Sequence, residues 1–377
     1  GVYRLDDSLT EWEEYSTGMP STAVSDPEIS LDDETLVAST YGRGVWKSPI
    51  PIQVPDNDIS LLNITPGQQS VNCGEIFAEI EVKNNGLNPI TEIEVTYKLN
   101  DGGDESFVWT GNLASDATAM VALPTLQTIN GTNEITVTSV ITNDAYADNN
   151  ERSAKFIANN FGNGGDTFDF ESDAESLILY SDTGEASTWE RGVPTGTLLN
   201  AATSGTQVIG TNLDGNHPDA TKDYVLSGCY ELSSIVAPVL KFDMAYDLEE
   251  NWDVVYVEYS LDSGSIWSVL GKLGSQPNWY NSDRTNETSG AADDCQNCPG
   301  AQWTGTSADM TSYSYDFVLN ASAGETDLTQ ESNVLFRIVF QSDASVNQEG
   351  VVIDNFVVDG VQDDDYDDNY GILYVYD

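Results

Sequence analysis

Apolar and polar residues alternate along much of the chain, and this period of two predicts β-strands. The alternation, or an equivalent run of β-branched and aromatic residues, is clearest in AEIEVKN, TEIEVTYKL, NEITVTSVIT, PVLKFDMAYD, DVVYVEYSLD, NVLFRIVFQS and GVVIDNFVV. These runs stop at Gly, Asn, Asp or Ser, which favour turns. No segment keeps the apolar spacing i, i+3, i+4, i+7 of an amphipathic helix. The sequence therefore predicts an all-β protein.

Two segments rich in turn residues divide this pattern. The first, PIPIQVPDND at residues 49–58, holds three prolines, which remove backbone donors and stiffen a linker. The second, NNFGNGGDT at residues 159–167, has no apolar periodicity. After Gly360, VQDDDYDDNY is typical of a solvated acidic tail. We therefore predict domains at residues 1–50, 51–160 and 161–360, followed by a tail at residues 361–377.

The chain is strongly acidic, with 63 Asp and Glu residues against 13 Lys and Arg and a formal net charge of −50. Such a surface repels phosphate backbones and anionic lipids, so we expect no nucleic-acid or membrane-surface binding. No run of 18 apolar residues predicts membrane insertion. The charge suits an extracellular protein in a salty or calcium-rich medium, and it equally suits a merely soluble acidic surface.

Because no export signal is readable at Gly1, we expect a piece of a longer exported chain.

The four cysteines allow three pairings. Cys295 and Cys298 form a C-x-x-C pair, compatible with a redox pair, half of a zinc site or a local disulfide. A zinc site needs two more soft ligands, and only Cys73, Cys229 and His217 remain in the chain. Acidic residues directly before Cys295 disfavour a redox pair, which needs a lowered thiol pKa. We favour a Cys295–Cys298 disulfide in an oxidising compartment, and the pairing of Cys73 and Cys229 stays open.

Residues 1–50 carry a motif of a known fold. Trp12, the GMP run at residues 18–20 and TYGRGVW at residues 40–46 resemble the closing blade of sialidase-like or sortilin-like β-propellers. Fifty residues supply one blade, and a lone blade cannot bury both faces of its sheet. The resemblance implies that further blades precede Gly1.

Residues 56–158 resemble an immunoglobulin-like sandwich of the cell-adhesion-related kind found in bacterial surface proteins. The resemblance rests on VKNNG at residues 82–86, IEVTY at residues 93–97 and DNN at residues 148–150. A length near 100 residues with several short alternating strands fits a sandwich independently. The resemblance implies a spacer module.

Residues 166–360 resemble a jelly roll related to MAM domains and to the domains appended to immune-inhibitor-A-type peptidases and to many secreted proteins of Bacteroidetes-like bacteria. The matching runs are FDFE (168–171), GTNLDG (210–215), FDMAY (242–246), VEYS (257–260), NWY (278–280), QWTG (302–305) and EGVVIDNF (349–356). The predicted fold class is therefore all-β, with a partial β-propeller blade, an immunoglobulin-like sandwich and a jelly-roll sandwich.

The jelly roll is the predicted place of a calcium site. The alternation in VVIDNF puts Asp354 on one face with Val352 and Phe356, and a carboxylate among apolar neighbours needs a cation or several donors. MAM-like jelly rolls lay their first and last strands side by side and hold a cation through acids there. The resemblance implies Glu171 and Asp354 as ligands, joined from loops by the residues Asp214 or Glu349. The alternative is solvated or hydrogen-bonded acids.

Aromatic residues beside Gly and Asn turns predict a possible ligand surface. Trp279, Tyr280 and Trp303 are the candidates for stacking against a neutral glycan or contacting a surface protein. The alternative is that these side chains belong to the core.

The single histidine restricts the chemistry. His217 lies in DGNHPD, which predicts a solvated turn, and no H-E-x-x-H zinc motif can be written. Carboxylate pairs can hydrolyse glycosides without histidine, but chance pairing among 63 acids makes that signal weak. We therefore expect no catalytic residue in this chain.

The function predicted from the sequence is a non-catalytic adhesion or scaffold region of an exported bacterial surface protein, with possible ligand binding. The alternative is a set of accessory C-terminal modules of an extracellular glycosidase or peptidase whose catalytic domain lies upstream. Proteins of this kind often end in a type IX secretion signal, which we would expect beyond Asp377.

Overall fold

A computed structural model describes residues 1–5, 11–30, 35–49, 54–67, 70–172, 177–181, 186–285, 295 and 297–362. Half of the residues lie in strands and 4% in helices, so the predicted all-β class and its sandwich architecture are confirmed. Most of the predicted tail, residues 363–377, lies outside the described residues. Among the helices that the structure describes, none is long and apolar enough to cross a membrane.

The first fifty residues form two small antiparallel sheets. Their strands are β1 (Tyr3–Arg4), β2 (Glu13–Glu14), β3 (Val24–Ser30), β4 (Thr35–Thr40) and β5 (Gly44–Pro49). β1 pairs with β2, and β3, β4 and β5 form a three-stranded meander. Gly42 and Gly44 take φ angles of +74° and +79° in the turn between β4 and β5, which explains two glycines of the TYGRGVW run. The assignment of this meander to a propeller blade stays a proposal.

The next hundred residues contain eight strands and a short 3₁₀ turn. They are β6 (Ile59–Thr65), β7 (Val71–Cys73), β8 (Glu79–Asn84), β9 (Ile90–Leu99), β10 (Glu105–Leu113), β11 (Thr118–Ala122), β12 (Gly131–Val140), the 3₁₀ turn Ala147–Asn149 and β13 (Glu151–Asn159). β11, β8 and β6 form one sheet, and β10, β9 and β12 lie in the other. Ile80 and Val82 point inward from the first sheet, and Ile93 and Val95 from the second, each less than 1% exposed. The predicted alternation thus produces the core.

The remaining residues form twelve strands and one short helix. They are β14 (Thr167–Phe168), β15 (Ile178–Ser181), β16 (Trp189–Gly192), β17 (Val208–Thr211), β18 (Lys222–Tyr230), the 3₁₀ turn Leu232–Ser234, β19 (Ile235–Asp247), β20 (Val254–Ser260), β21 (Ser268–Val269), β22 (Pro277–Asn278), β23 (Thr306–Asp316), α1 (Phe317–Ser322), β24 (Val334–Gln341) and β25 (Gly350–Gln362).

These strands build two antiparallel sheets around one core. One sheet has the order β16-β17-β25-β19-β23-β22, with β14 also paired to β25; the other has the order β15-β18-β24-β20-β21. β14 and β25 are the first and last strands of the span, as the jelly-roll resemblance implies. The core cluster between the sheets includes Phe242, Trp279, Trp303, Phe336 and Phe356.

The chain divides into two compact units. Unit 1 comprises residues 1–65, 79–123 and 135–153, and unit 2 comprises residues 66–78, 124–134 and 154–377. β7 and the end of β13 belong to unit 2, where they pair in parallel through Ile157 and Val71. The domain boundaries predicted at residues 50, 160 and 360 stay predictions.

Candidate functional site

Three of the four predicted cation ligands hold one loop in unit 2. This loop, residues 196–207, connects β16 to β17 and packs Leu199 and Ala202 against a small apolar cluster that contains Ala245 and Val352. The Glu349 carboxylate accepts hydrogen bonds from three successive backbone amides at the start of the loop, at 2.7 to 3.1 Å. Those amides belong to Thr197, Leu198 and Leu199.

Asp354 and Glu171 hold the rest of the loop in the same way. Oδ2 of Asp354 accepts from the amides of Thr203 and Ser204, each at 2.8 Å. Oε1 of Glu171 accepts from two further amides at 2.7 and 2.6 Å, those of Thr206 and Gln207. We call the loop and these three carboxylates the acidic clamp. Asp354 is buried, Glu349 half-buried and Glu171 exposed, and each of these carboxylates accepts hydrogen bonds from at least two loop amides.

Two glycines allow the carboxylates to approach the loop backbone. A Cβ atom at Gly196 would lie 2.2 Å from Oε2 of Glu349, and one at Gly205 would lie 2.3 Å from Cδ of Glu171. Gly205 also has a φ angle of +53°, which side chains rarely adopt. The clamp therefore depends on glycine at both positions.

Burial and hydrogen bonding act in opposite directions on the clamp acids. Burial raises the pKa of Asp354 above its ordinary value, although the amides of Ser204, Asn355 and Thr203 favour the charged form. At Glu349 the partial burial is outweighed by the amides of Leu199, Leu198 and Thr197, so its pKa is lowered.

The fourth predicted ligand lies outside the clamp. Asp214 is exposed in the turn after β17, and none of the hydrogen bonds described for the loop comes from it. Within the described residues no group of three or more His, Cys, Asp or Glu side chains is arranged to hold a metal ion. Backbone amides already donate hydrogen bonds to the carboxylates of Glu171, Glu349 and Asp354. Calcium at Glu171, Asp214, Glu349 and Asp354 stays a prediction.

A bulge in β25 corrects the predicted surroundings of Asp354. The register of β25 against β19 shifts between Lys241 and Asp243, and Asn355 takes a φ angle of +51°. The extra residue reverses the alternation, so that Phe356 enters the core while Asp354 points outward toward the loop. Asp354 thus shares a face with Val352 but not with Phe356.

The bulge also creates a polar surface on the outer face of the β19–β23–β25 sheet. Nδ2 of Asn355 donates to Oδ2 of Asp243 at 2.8 Å, and Nζ of Lys241 pairs with Asp359. Nearby, Oδ1 of Asn278 accepts from the amide of Ser314 at 3.1 Å. We call this surface the polar shelf; its residues are Lys241, Asp243, Asn278, Ser312, Ser314, Asn355 and Asp359.

The predicted aromatic platform is wrong, because its side chains lie inside unit 2. Trp279 is 2% exposed, Tyr280 7% and Trp303 1%. Trp279 and Trp303 pack edge to face at 4.9 Å between ring centroids, and both contact Phe242 in the same way. Three large rings gain more from mutual packing between the sheets than from exposure at a turn. They are core residues and offer no stacking surface.

The prediction of a solvated His217 is also wrong. The imidazole is 1% exposed, and its Nε2 lies 3.2 Å from Oδ2 of Asp253, which is fully buried. Nδ1 lies 3.1 Å from the carbonyl oxygen of Pro218, and the Phe340 ring packs against the imidazole at 5.2 Å. No local signal in DGNHPD could reveal this, because Asp253 and Phe340 lie far along the chain.

Both cysteine pairs are disulfide-bonded. Cys295 pairs with Cys298, and Cys73 of β7 pairs with Cys229 of β18 across 156 residues. Both bonds lie within unit 2. The Cys73–Cys229 bond ties β7, which lies early in the sequence, to β18, and spacing alone could not predict this pairing.

Comparison with known proteins finds only distant likenesses among solved structures. No protein-family profile matches the chain, and no curated protein matches it. Among solved structures, a CARDB domain from Pyrococcus furiosus, solved in complex with di-metal ions, is 20% identical, with a TM-score of 0.23 over 27% of this chain and 93% of that chain.

Two further solved structures show a distant likeness to this chain. A carbohydrate-binding module of the β-sandwich superfamily is 8% identical, with a TM-score of 0.29 over 81% of this chain and 99% of that chain. A β-glucuronidase of Bacteroides uniformis is 11% identical, with a TM-score of 0.20 over 79% of this chain and 30% of that chain.

Proposed function

We propose that this chain is the non-catalytic binding and scaffold region of an exported bacterial surface protein, and that unit 2 binds a neutral glycan along the polar shelf. The observation that carries the proposal is the bulge at Asn355. A non-glycine residue with positive φ inside a long strand is uncommon, and bulges of this kind commonly re-aim side chains at functional sites. Here it aligns Asn355 with Asp243 on an outward face.

The groups on the shelf have the chemistry that sugar hydroxyls require. A hydroxyl can donate to a carboxylate and accept from an amide or ammonium group at the same time. Asp243 with Asn355, and Asp359 with Lys241, each offer such a donor–acceptor pair on neighbouring strands. Two pairs on one sheet face can therefore engage successive hydroxyls of an extended chain. Because the shelf is open and carries no exposed ring, its affinity per sugar should be low.

The overall charge favours a neutral ligand. The formal net charge of −50 repels polyanions, and salt screens that repulsion without reversing its sign. On the shelf itself, Asp243 and Asp359 outnumber Lys241. A sulfated or uronic polymer should therefore bind more weakly than a neutral one.

The scaffold part of the proposal is supported by how unit 2 uses its polar groups. The clamp acids hold a loop, His217 and Asp253 pair inside the fold, and a disulfide closes 156 residues. Such contacts favour a rigid fold, and disulfides are typical of extracellular proteins. The finer assignments belong to the same proposal: a propeller blade at residues 1–50, an adhesion-type sandwich next, and a MAM-like jelly roll.

A glycan array probed with the whole chain at physiological salt tests the binding site. We expect binding to neutral polysaccharides that Asp243→Ala and Lys241→Ala each weaken at least tenfold, because each removes half of a donor–acceptor pair. Asp309→Ala is the matched control: it removes an exposed acid of β23 outside the shelf and should leave binding unchanged.

Three results would count against the glycan-binding part of the proposal. Neutral-glycan binding that survives both shelf variants would place the site elsewhere. An array without any neutral-glycan signal would leave the scaffold part alone standing. Preferential binding to heparin-like chains would contradict the electrostatic argument.

A further inference from the structure

A second polar cluster, in unit 1, lies where the chain enters the sandwich. Asp58 directly precedes β6 and is 4% exposed. The connection from β12 to β13 passes beside it, because the amide of Ala145 donates to the carbonyl oxygen of Asn57 at 3.0 Å. That connection carries Asp144, Asn149 and Asn150, and Asn150 is 3% exposed.

The two asparagine amides point their nitrogen atoms at the two carboxylates. Nδ2 of Asn149 donates to Oδ1 of Asp58 at 3.2 Å, and Nδ2 of Asn150 donates to Oδ2 of Asp144. The Oδ1 atoms of both asparagines are buried, and neither accepts a hydrogen bond within the described part of the chain. Buried oxygen acceptors left without donors are uncommon and costly, so each needs an explanation.

The carboxylates also carry an unfavourable charge pair. Asp58 is 4% exposed, and the connection that carries Asp144 passes directly beside it. A bound cation would reduce the repulsion between the two carboxylates, and it would give both unpaired amide oxygens a partner.

We propose that Asp58, Asp144, Asn149 and Asn150 form a binding site for a divalent cation of the calcium type. The oxygen and nitrogen atoms of an asparagine amide exchange places when the amide turns by half a rotation. After that rotation, both Oδ1 atoms join the carboxylate oxygens around the ion. In the ion-free protein, the two NH₂ groups instead donate hydrogen bonds to the carboxylates.

The ligand set favours calcium over other biological cations. All four side chains offer hard oxygen atoms, and no thiolate or imidazole lies among them, which disfavours zinc and copper. Calcium accepts six to eight oxygen ligands in irregular geometry, including amide carbonyls, whereas magnesium demands a near-ideal octahedron. The four side chains come from two separate chain segments, so we expect irregular coordination. Calcium tolerates such coordination better than magnesium does. This site is separate from the acidic clamp and does not depend on glycan binding.

Isothermal titration calorimetry of the chelator-treated whole chain with calcium chloride tests the proposal. We expect the wild type to bind calcium, and Asp144→Asn to weaken that binding at least tenfold. Asp148→Asn is the matched control, because it makes the same charge change on an exposed residue of the same connection. Asp354→Asn separates this site from the clamp and should leave the unit 1 binding unchanged.

A second variant guards against a fold defect in Asp144→Asn. Asn150→Asp keeps the shape of the side chain and adds a third carboxylate, so it should lower the urea midpoint in chelator and tighten calcium binding. Wild-type protein that binds no calcium, or that loses binding equally in Asp144→Asn and Asp148→Asn, would overturn the proposal. Magnesium binding tighter than calcium binding would overturn the choice of ion.

Discussion

At the scale of single residues, His217 shows how the fold changes the chemistry of a side chain. Its Nε2 atom lies near two groups with opposite demands: Oδ2 of Asp253 at 3.2 Å, which needs a donor, and the amide of Gln348 at 3.1 Å, which needs an acceptor. Burial lowers the pKa of His217, but the hydrogen bonds with Asp253 and Pro218 and the charge of Asp253 outweigh it and raise the pKa above its ordinary value.

The raised pKa of His217 predicts a pH-dependent stability. A histidine whose pKa is higher in the folded state contributes stability in full below the unfolded pKa of about 6.5, and loses it as the pH rises through the folded value. Each unit of elevation corresponds to about 1.4 kcal/mol. We expect the urea midpoint of the wild type to fall between pH 6 and pH 9, and His217→Gln to flatten that slope.

The chain's single histidine makes this prediction directly measurable by nuclear magnetic resonance. With labelled histidine, one imidazole signal reports both the pKa and which ring nitrogen carries the proton. A titration midpoint below 6.5, or equal pH slopes for wild type and His217→Gln, would contradict the prediction.

At the scale of elements, the loop at residues 196–207 owes its conformation to acids from other elements. Seven backbone amides of this loop point at carboxylates, and those of Glu349 and Asp354 lie near the end of the sequence. An irregular loop leaves amides unpaired, and charged acceptors satisfy them strongly. The loop in turn covers the apolar cluster around Val352 and Ala245.

Gly205→Ala should therefore destabilise unit 2 by more than about 1 kcal/mol, because it combines a positive φ angle with a clash against Glu171. Gly274→Ala is the matched control: Gly274 has a φ angle of +80°, but nothing lies within 4 Å of its added Cβ. The difference in urea midpoint between the two variants isolates the clamp contact. Equal midpoints would show that Glu171 does not hold the loop in solution.

At the scale of the whole molecule, covalent links strengthen a fold whose strands pair over long distances. The chain-entropy model gives a stabilisation of about 5 kcal/mol for a bond that closes 156 residues, and about 2 kcal/mol for one that closes three. We expect the pair Cys73→Ala with Cys229→Ala to lower the urea midpoint more than Cys295→Ala with Cys298→Ala.

Thiol counting on the unreduced, denatured protein checks the premise, and we expect no free thiol. Four free thiols would remove the basis for both disulfides. Equal midpoints for the two double variants would show that closure of the long loop is not what stabilises unit 2.

The sequence by itself determined the structural class and the electrostatic character. Alternation depends only on residues two positions apart, so AEIEVKN and TEIEVTYKL predict strands with buried Ile80 and Val95 without knowledge of their partners. Net charge is a sum over residues and needs no fold. The juxtaposition of Cys295 and Cys298 is likewise local in sequence.

Only the tertiary structure decided which of the candidate residues are available for function. Trp279 and Trp303 sit in turn-rich sequence, yet the two sheets close over them. One extra residue at Asn355 turns Asp354 away from Phe356, and a loop some 150 residues distant supplies its donors. The partner of His217 is Asp253, which is distant in sequence. Only the packing around Asn150 shows that its Oδ1 atom is buried without a donor among the described residues. Burial and hydrogen-bond satisfaction depend on contacts between distant segments, which local sequence patterns do not contain.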